Sequence, residues 1–166
     1  MSSRQDAARR EKKMDGQDER PNEQKTGPFP LRESDGSALD YDTVEQSQSL
    51  ALALALASAA NDVKAVDIAV LDVSKVVSWT RYMVLATAFS KPQVDAAVGK
   101  MIAAAEAPPL GRSLAHTPDI SSWVCLDFGD VMAHCFTPGD CAFYDLAGLY
   151  AKADKVPLPF ESQKGA

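Results

Sequence analysis

The sequence is poor in most of the features that announce a chemistry. Aromatic residues make up 7% of its 166 positions, and its two histidines are His116 and His134. Three cysteines, Cys125, Cys135 and Cys141, form an odd set without C-x-x-C spacing. They read as reduced thiols of an intracellular compartment, and zinc binding with His134 or His116 would lack ligand spacing. Glycine-rich phosphate loops, G-x-S-x-G and H-E-x-x-H are all missing, so common routes to nucleotide, acyl and metal chemistry have no motif to stand on. The longest apolar run, Leu50 to Ala60, is about half of the ~20 residues that cross a bilayer. The N-terminal stretch has no apolar signal core, and it carries too many acids for a good transit peptide. Excess positive charge is lacking as well: the net charge of -6 argues against broad binding to a phosphate backbone.

What is present is enough apolar sequence, 46%, for one domain with a real core. Residues 1–40 hold eight basic and nine acidic side chains and little to bury, which predicts a disordered charged tail. A short contact at Phe29-Pro30-Leu31 is the one ordered feature expected there. The rest, with nine basic and fourteen acidic residues, is an acidic body suited to a basic protein partner. The expected division is a tail over 1–40, a domain over 41–156 and an extended C-terminal tail over 157–166.

Trp123 to Phe136, WVCLDFGDVMAHCF, consists of two apolar runs joined at Gly129-Asp130, the pattern of a β-hairpin. Alternation sets Trp123, Cys125 and Asp127 on one face and Val124, Leu126 and Phe128 on the other. Both faces are largely apolar, so the hairpin is expected within a sheet covered on both sides. A helix is expected from about Asp42, at a capping-box spacing with Glu45, to Ala60, stopping at Asn61-Asp62. Its LALALALA stretch has period two, but Leu and Ala favour helix and β-branched residues are missing. Leu50 and Leu54 would form one stripe and Leu52 and Leu56 another, either an interface or a face buried among neighbours. Ile68 to Leu71 reads as a buried central strand and Tyr82 to Thr87 as a second strand. Ser90 then caps a helix with Pro92 in its first turn and Val94, Ala97, Val98, Met101, Ile102 and Ala105 inward. Pro108-Pro109 ends it, and a loop over 110–122 precedes the hairpin. Thr137 to Asp140 reads as a turn, Phe143 to Ala153 as a helix, and Val156 to Phe160 as extended chain. The sum is an α/β domain, a mixed sheet with helices packed on it.

The polar residues leave few candidates. Asp67 and Asp72 stand at opposite ends of one strand, and Asp127 and Asp130 flank the hairpin turn. A metal reading exists for each pair, but backbone and turn geometry explain them more simply. His134 is a general base, a ligand, or a histidine packed in the core or facing a partner.

Taken together, DIAVLDV (67–73), YMVLAT (82–87) with Ser90 and Gln93, PLG (109–111), the hairpin and FYDLAGLY (143–150) resemble the ribosomal silencing factors, or Iojap-like proteins. The likeness spans about Asp42 to Lys155, is most specific at the hairpin, and in WVCLDFG looks most like the mitochondrial branch. It implies a nucleotidyltransferase-like fold without catalytic carboxylates, hence no enzyme, no cofactor and no metal. It further implies docking on the large ribosomal subunit at its L-fourteen-family protein, which blocks joining of the small subunit. In mitochondria a LYR-motif protein and an acyl carrier protein accompany this; direct nucleic-acid binding and membrane contact are not implied. The implied compartment is the mitochondrion, with a plastid or a bacterial-type cytoplasm as alternatives.

The chain also departs from the pattern. Arg81 stands where the family has an acid, Ala88 replaces a glycine, Ser113-Leu114 fall at a Glu-Gly, and Cys141 stands at an arginine. Tyr150 takes the place of a tryptophan. A divergent member is therefore expected, with an altered docking surface or as an assembly adaptor without silencing activity. Carried over by position, Arg81, Tyr82, Ser90, His134, Tyr144, Leu149 and Tyr150 are the expected partner-binding residues, with Trp123 as core or contact. The competing class is a metal-dependent nucleotidyltransferase-like enzyme using Asp67, Asp72 or Asp127.

Overall fold

The structure, a computed structural model, describes residues 41–161. The expected tail over 1–40 and the final residues 162–166 lie outside the described residues. The alanine- and leucine-rich stretch forms α1 (Tyr41–Asp62), so helix propensity prevails over the period-two pattern. Leu52, Ala53, Leu56, Ala57 and Ala60 are buried, a helical spacing that faces the sheet. Leu50 and Leu54 are half-buried and pack against the same core, so the second stripe is a flank of the buried face and not an open interface. Helix α2 (Lys91–Glu106) lies beside α1, capped by Ser90, whose Oγ accepts from the Gln93 amide at 3.3 Å.

Beneath these helices runs a five-stranded mixed sheet of order β3-β4-β2-β1-β5. Its strands are β1 (Val66–Asp72), β2 (Tyr82–Thr87), β3 (Trp123–Asp127), β4 (Val131–Phe136) and β5 (Asp154–Val156). Strands β2 and β4 are parallel and every other pairing is antiparallel. The centre is β2, buried at all six positions, because YMVLAT is apolar towards both faces. The expectation of a central β1 is corrected: it lies one strand from the edge. Its pairing with β2 slips between Val66 and Ala69, where Asp67 takes a φ of 48°. The hairpin forms as read, with Gly129 at φ 88° in its turn, but β3 is an edge strand.

Two cores flank the sheet. Val70, Tyr82, Val84, Val124, Leu126, Val131 and Ala133 pack under α1 and α2. On the far face Leu71, Val73, Met83, Leu85 and Phe136 are covered by Trp123, Cys141, Leu146, Tyr150 and Ala153. The C-terminal expectations are corrected here. Thr137-Pro138-Gly139-Asp140 is no free turn: Pro138 opens α3 (Pro138–Tyr144), a position where its missing N–H leaves no bond unmade. The single helix expected over 143–153 breaks at Asp145, which adopts φ 41°. A short α4 (Leu146–Leu149) follows. Residues Asp154 to Val156 are not free chain, since they pair with β1 as β5. Leu158 is buried and Phe160 packs on the core, so the tail is anchored at least that far.

Candidate docking surface

Strand alternation turns Trp123 and Cys125 of β3 and His134 and Phe136 of β4 onto the far face, away from α1 and α2. Register sets Trp123 across from Phe136 and Cys125 across from His134. The Trp123 ring lies 5.9 Å from His134 and 6.2 Å from Phe136, while the His134 and Phe136 rings stack at 6.3 Å and 10°. Helix α3 swings Tyr144 onto the indole at 4.4 Å, with Phe143 edge-on to Tyr144 at 4.9 Å. The cluster is anchored inside and open outside. His134 is 7% exposed, whereas Tyr144 is 46%, Leu149 69% and Phe143 81% exposed. Large apolar side chains this open, with Phe143 and Tyr144 in contact and Leu149 on the short helix that follows, are the makings of a protein-binding anchor.

Trp123 Nε1 donates to His134 Nδ1 at 3.2 Å. Burial pushes the His134 pKa down from 6.5 to about 4, so the ring is neutral at pH 7. Burial also raises the Cys125 thiol, helped by the nearby Asp127 carboxylate, and pushes Cys135 up to about 11. Neither is a poised nucleophile.

The expected partner-binding residues separate into groups. His134, Tyr144 and Tyr150 belong to the far face, with Tyr150 half-buried against Leu71 and its neighbours, and Leu149 is exposed at the end of α4. Ser90 is exposed, capping α2 near the sheet end where Ala88 N–H donates to Phe136 O. Arg81 is half-exposed at the other end of β2, where its amide donates to Asp130 O at 2.8 Å. It borders an open groove of about 420 Å³ with Trp79, Thr80 and Asp130. Tyr82 is corrected: it is 3% exposed in the core under the helices and presents no ring at a docking surface. Its neighbours above and below β2 decide this, and they are remote in sequence. Phe143 was expected only as the apolar side of a helix, and its exposure follows from the break at Asp145.

The acidic residues do not converge. Asp67 and Asp72 stand at opposite ends of β1, Asp127 accepts the Gly129 amide, and Asp130 is engaged by Ser49 and Arg112. Burial works to raise the Asp130 pKa, but the Ser49 hydroxyl and the Arg112 guanidinium together hold it below the ordinary value. Among the described residues no group of three or more His, Cys, Asp or Glu is placed to hold a metal. No helix among them is long and apolar enough to cross a membrane.

Residues 45–166 match the family model described as ribosomal silencing factor during starvation. The chain is 42% identical over 139 residues to the chloroplastic protein Iojap of Arabidopsis thaliana, covering 84% of this chain and 58% of that protein's length. It is 30% identical over 92 residues to a ribosomal silencing factor of Chromobacterium violaceum, covering 55% of this chain and 75% of the relative. A crystal structure of a protein from that bacterium superposes with a TM-score of 0.58 at 27% identity, covering 67% of this chain and 92% of the other. The chloroplastic relative fits the plastid alternative and lends nothing to the mitochondrial one. A match reaching from α1 past β5, on a sheet that the solved relative shares, leaves one assignment: the chain belongs to the ribosomal silencing factor family.

Proposed function

We propose that this protein is a non-enzymatic factor that docks on the large ribosomal subunit and obstructs joining of the small subunit by occupying its landing site. The partner in this reading is the L-fourteen-family protein, met through the far face of the sheet. The observation that carries it is the exposed pair Phe143 and Tyr144, backed by Trp123 and His134, with Leu149 also exposed on the next helix. Obstruction needs shape and a few desolvated anchors, with no reactive group. The acidic body suits a basic ribosomal protein. The compartment in this reading is the plastid, after the chloroplastic name of the relative from Arabidopsis thaliana. The LYR-motif protein and acyl carrier protein belong to the mitochondrial expectation and lose their support with it.

Co-sedimentation with isolated large subunits tests the reading. Phe143→Asp and Leu149→Asp alter exposed positions, so folding should persist while docking falls about tenfold or more, the usual loss when an interface anchor is removed. Wild-type chain that stays in the supernatant, or variants that sediment like wild type, would refute it. Subunit-joining assays separate a blocking factor from an adaptor that docks without blocking.

A further inference from the structure

The Trp123–His134 contact fixes more than packing. An indole N–H can only donate, so a bond from Nε1 to Nδ1 at 3.2 Å requires that Nδ1 carry no proton. In a neutral imidazole the proton then sits on Nε2. The indole ring lies 4.4 Å from Tyr144, and the Trp123 backbone beneath it is tied to Ser121, whose hydroxyl accepts from the Trp123 N–H and donates to its carbonyl. Phe136 lies nearly parallel to the imidazole, with ring centroids 6.3 Å apart.

The other ring nitrogen has no such occupation. No hydrogen bond engages His134 Nε2 among the described residues, yet the closed-off polar side-chain atom without a partner is Thr87 Oγ1, not this nitrogen. Nε2 is therefore unpartnered without being sealed off, in a ring that lies against the indole on which Tyr144 packs.

We propose that Trp123 is a positioning residue for His134: its indole N–H locks the imidazole as the Nε2–H tautomer, and that N–H is donated to an acceptor oxygen of the docked protein partner. This rests on the docking reading above and adds what the centre of the surface recognises, a carbonyl or carboxylate oxygen in an otherwise apolar patch. One fixed donor in a dry patch discriminates strongly, because a partner without the acceptor leaves it unsatisfied. A phenylalanine at position 134 would fill the same space and lose that selection.

Long-range ¹⁵N–¹H spectra of the free chain near neutral pH read the tautomer directly, without any ribosome. The expected pattern is protonated Nε2 and bare Nδ1; a protonated Nδ1 overturns the proposal. Trp123→Phe keeps a ring and removes the donor, so its His134 signals should shift towards a mixture of tautomers, and an unchanged pattern overturns the positioning role. In co-sedimentation with large subunits, His134→Gln places an amide donor near Nε2 and should bind within a fewfold of wild type. His134→Asn places it near Nδ1 and should lose about tenfold, the usual effect of an unmade buried hydrogen bond. Equal binding by the two variants overturns the donation. Wild-type chain that shows the Nε2–H tautomer but does not sediment with large subunits overturns the docking reading, and the donation with it, while the tautomer assignment stands.

Discussion

His134 is enclosed by Trp123, Phe136 and the strands around them, and this burial holds its folded pKa at about 4 against 6.5 in the open chain. The unfolded chain therefore takes up a proton first as pH falls. The neutral ring's contribution is complete above pH 6.5 and is lost on descent towards pH 4, up to about 3 kcal/mol. Denaturant unfolding at about pH 7 and about pH 4.5 should show wild type losing more stability than His134→Gln over that window. Equal losses would mean that the imidazole is not desolvated. Cys135 behaves oppositely in sign and equally in cause: 1% exposed, its thiol pushed up to about 11, it should resist alkylation until the chain unfolds, as peptide mass spectrometry would show. Alternation along a hairpin separates His134 from Cys135 onto opposite faces locally, but it left the role of His134 open among base, ligand, core and partner-facing residue. The face of Tyr82 was not legible. In YMVLAT both faces are apolar, so nothing in the strand itself says which side chain meets α1 and which meets the far face.

Among the elements, the hairpin and α2 follow from short-range chemistry: Gly129-Asp130 between two apolar runs, Ser90 and Pro92 at a helix start. The α3–α4 break does not, because it depends on one non-glycine residue adopting a left-handed backbone. Asp145 tolerates φ 41° better than most, and its Oδ1 accepts the Gly148 amide at 3.0 Å, so it ends one helix and caps the next. Asp145→Ala forfeits the cap and strains the backbone, for about 1–2 kcal/mol of stability. Asp145→Gly forfeits the cap but relieves the backbone, and should cost less. Thermal melts would rank them, and the reverse order would mean that strain is not the larger part. Because the break also sets Phe143 and Leu149 outward, Asp145→Ala should weaken large-subunit docking beyond its effect on melting. A second local device ties the hairpin turn to the helices: Asp130 joins Ser49 of α1 and Arg112 of the loop after α2, and Arg112 also donates to Phe128 O at 2.9 Å. The charges are about one-third exposed, so Arg112→Ala should cost only about 1 kcal/mol.

At the scale of the whole molecule, fold class was legible because periodicity changes along the chain, from helix to strand and back. Strand order was not, since β5 is three residues long and β1 and β5 pair across more than half the described chain. The proposed docking face could be read in pieces only: Trp123, His134 and Tyr144 come from three elements, and the register of β3 on β4 brings the first two together while α3 adds the third. The cluster at the centre of that face is aromatic, with a neutral imidazole, while the chain from residue 41 onward carries fourteen acids against nine bases. Attraction to a basic partner should thus act mainly on approach, and apolar contact should hold the complex once formed. Raising salt from about 0.05 M to about 0.3 M shortens the screening length to a few ångströms, so association with large subunits should slow by severalfold. Dissociation of the same complex should change little, since a desolvated aromatic contact has few ions to screen. Surface-immobilised subunits and a stepped salt series would measure both rates. Dissociation that speeds up as steeply as association slows would mean that exposed ion pairs hold the complex, and would move the docking surface away from Trp123, Tyr144 and Phe143.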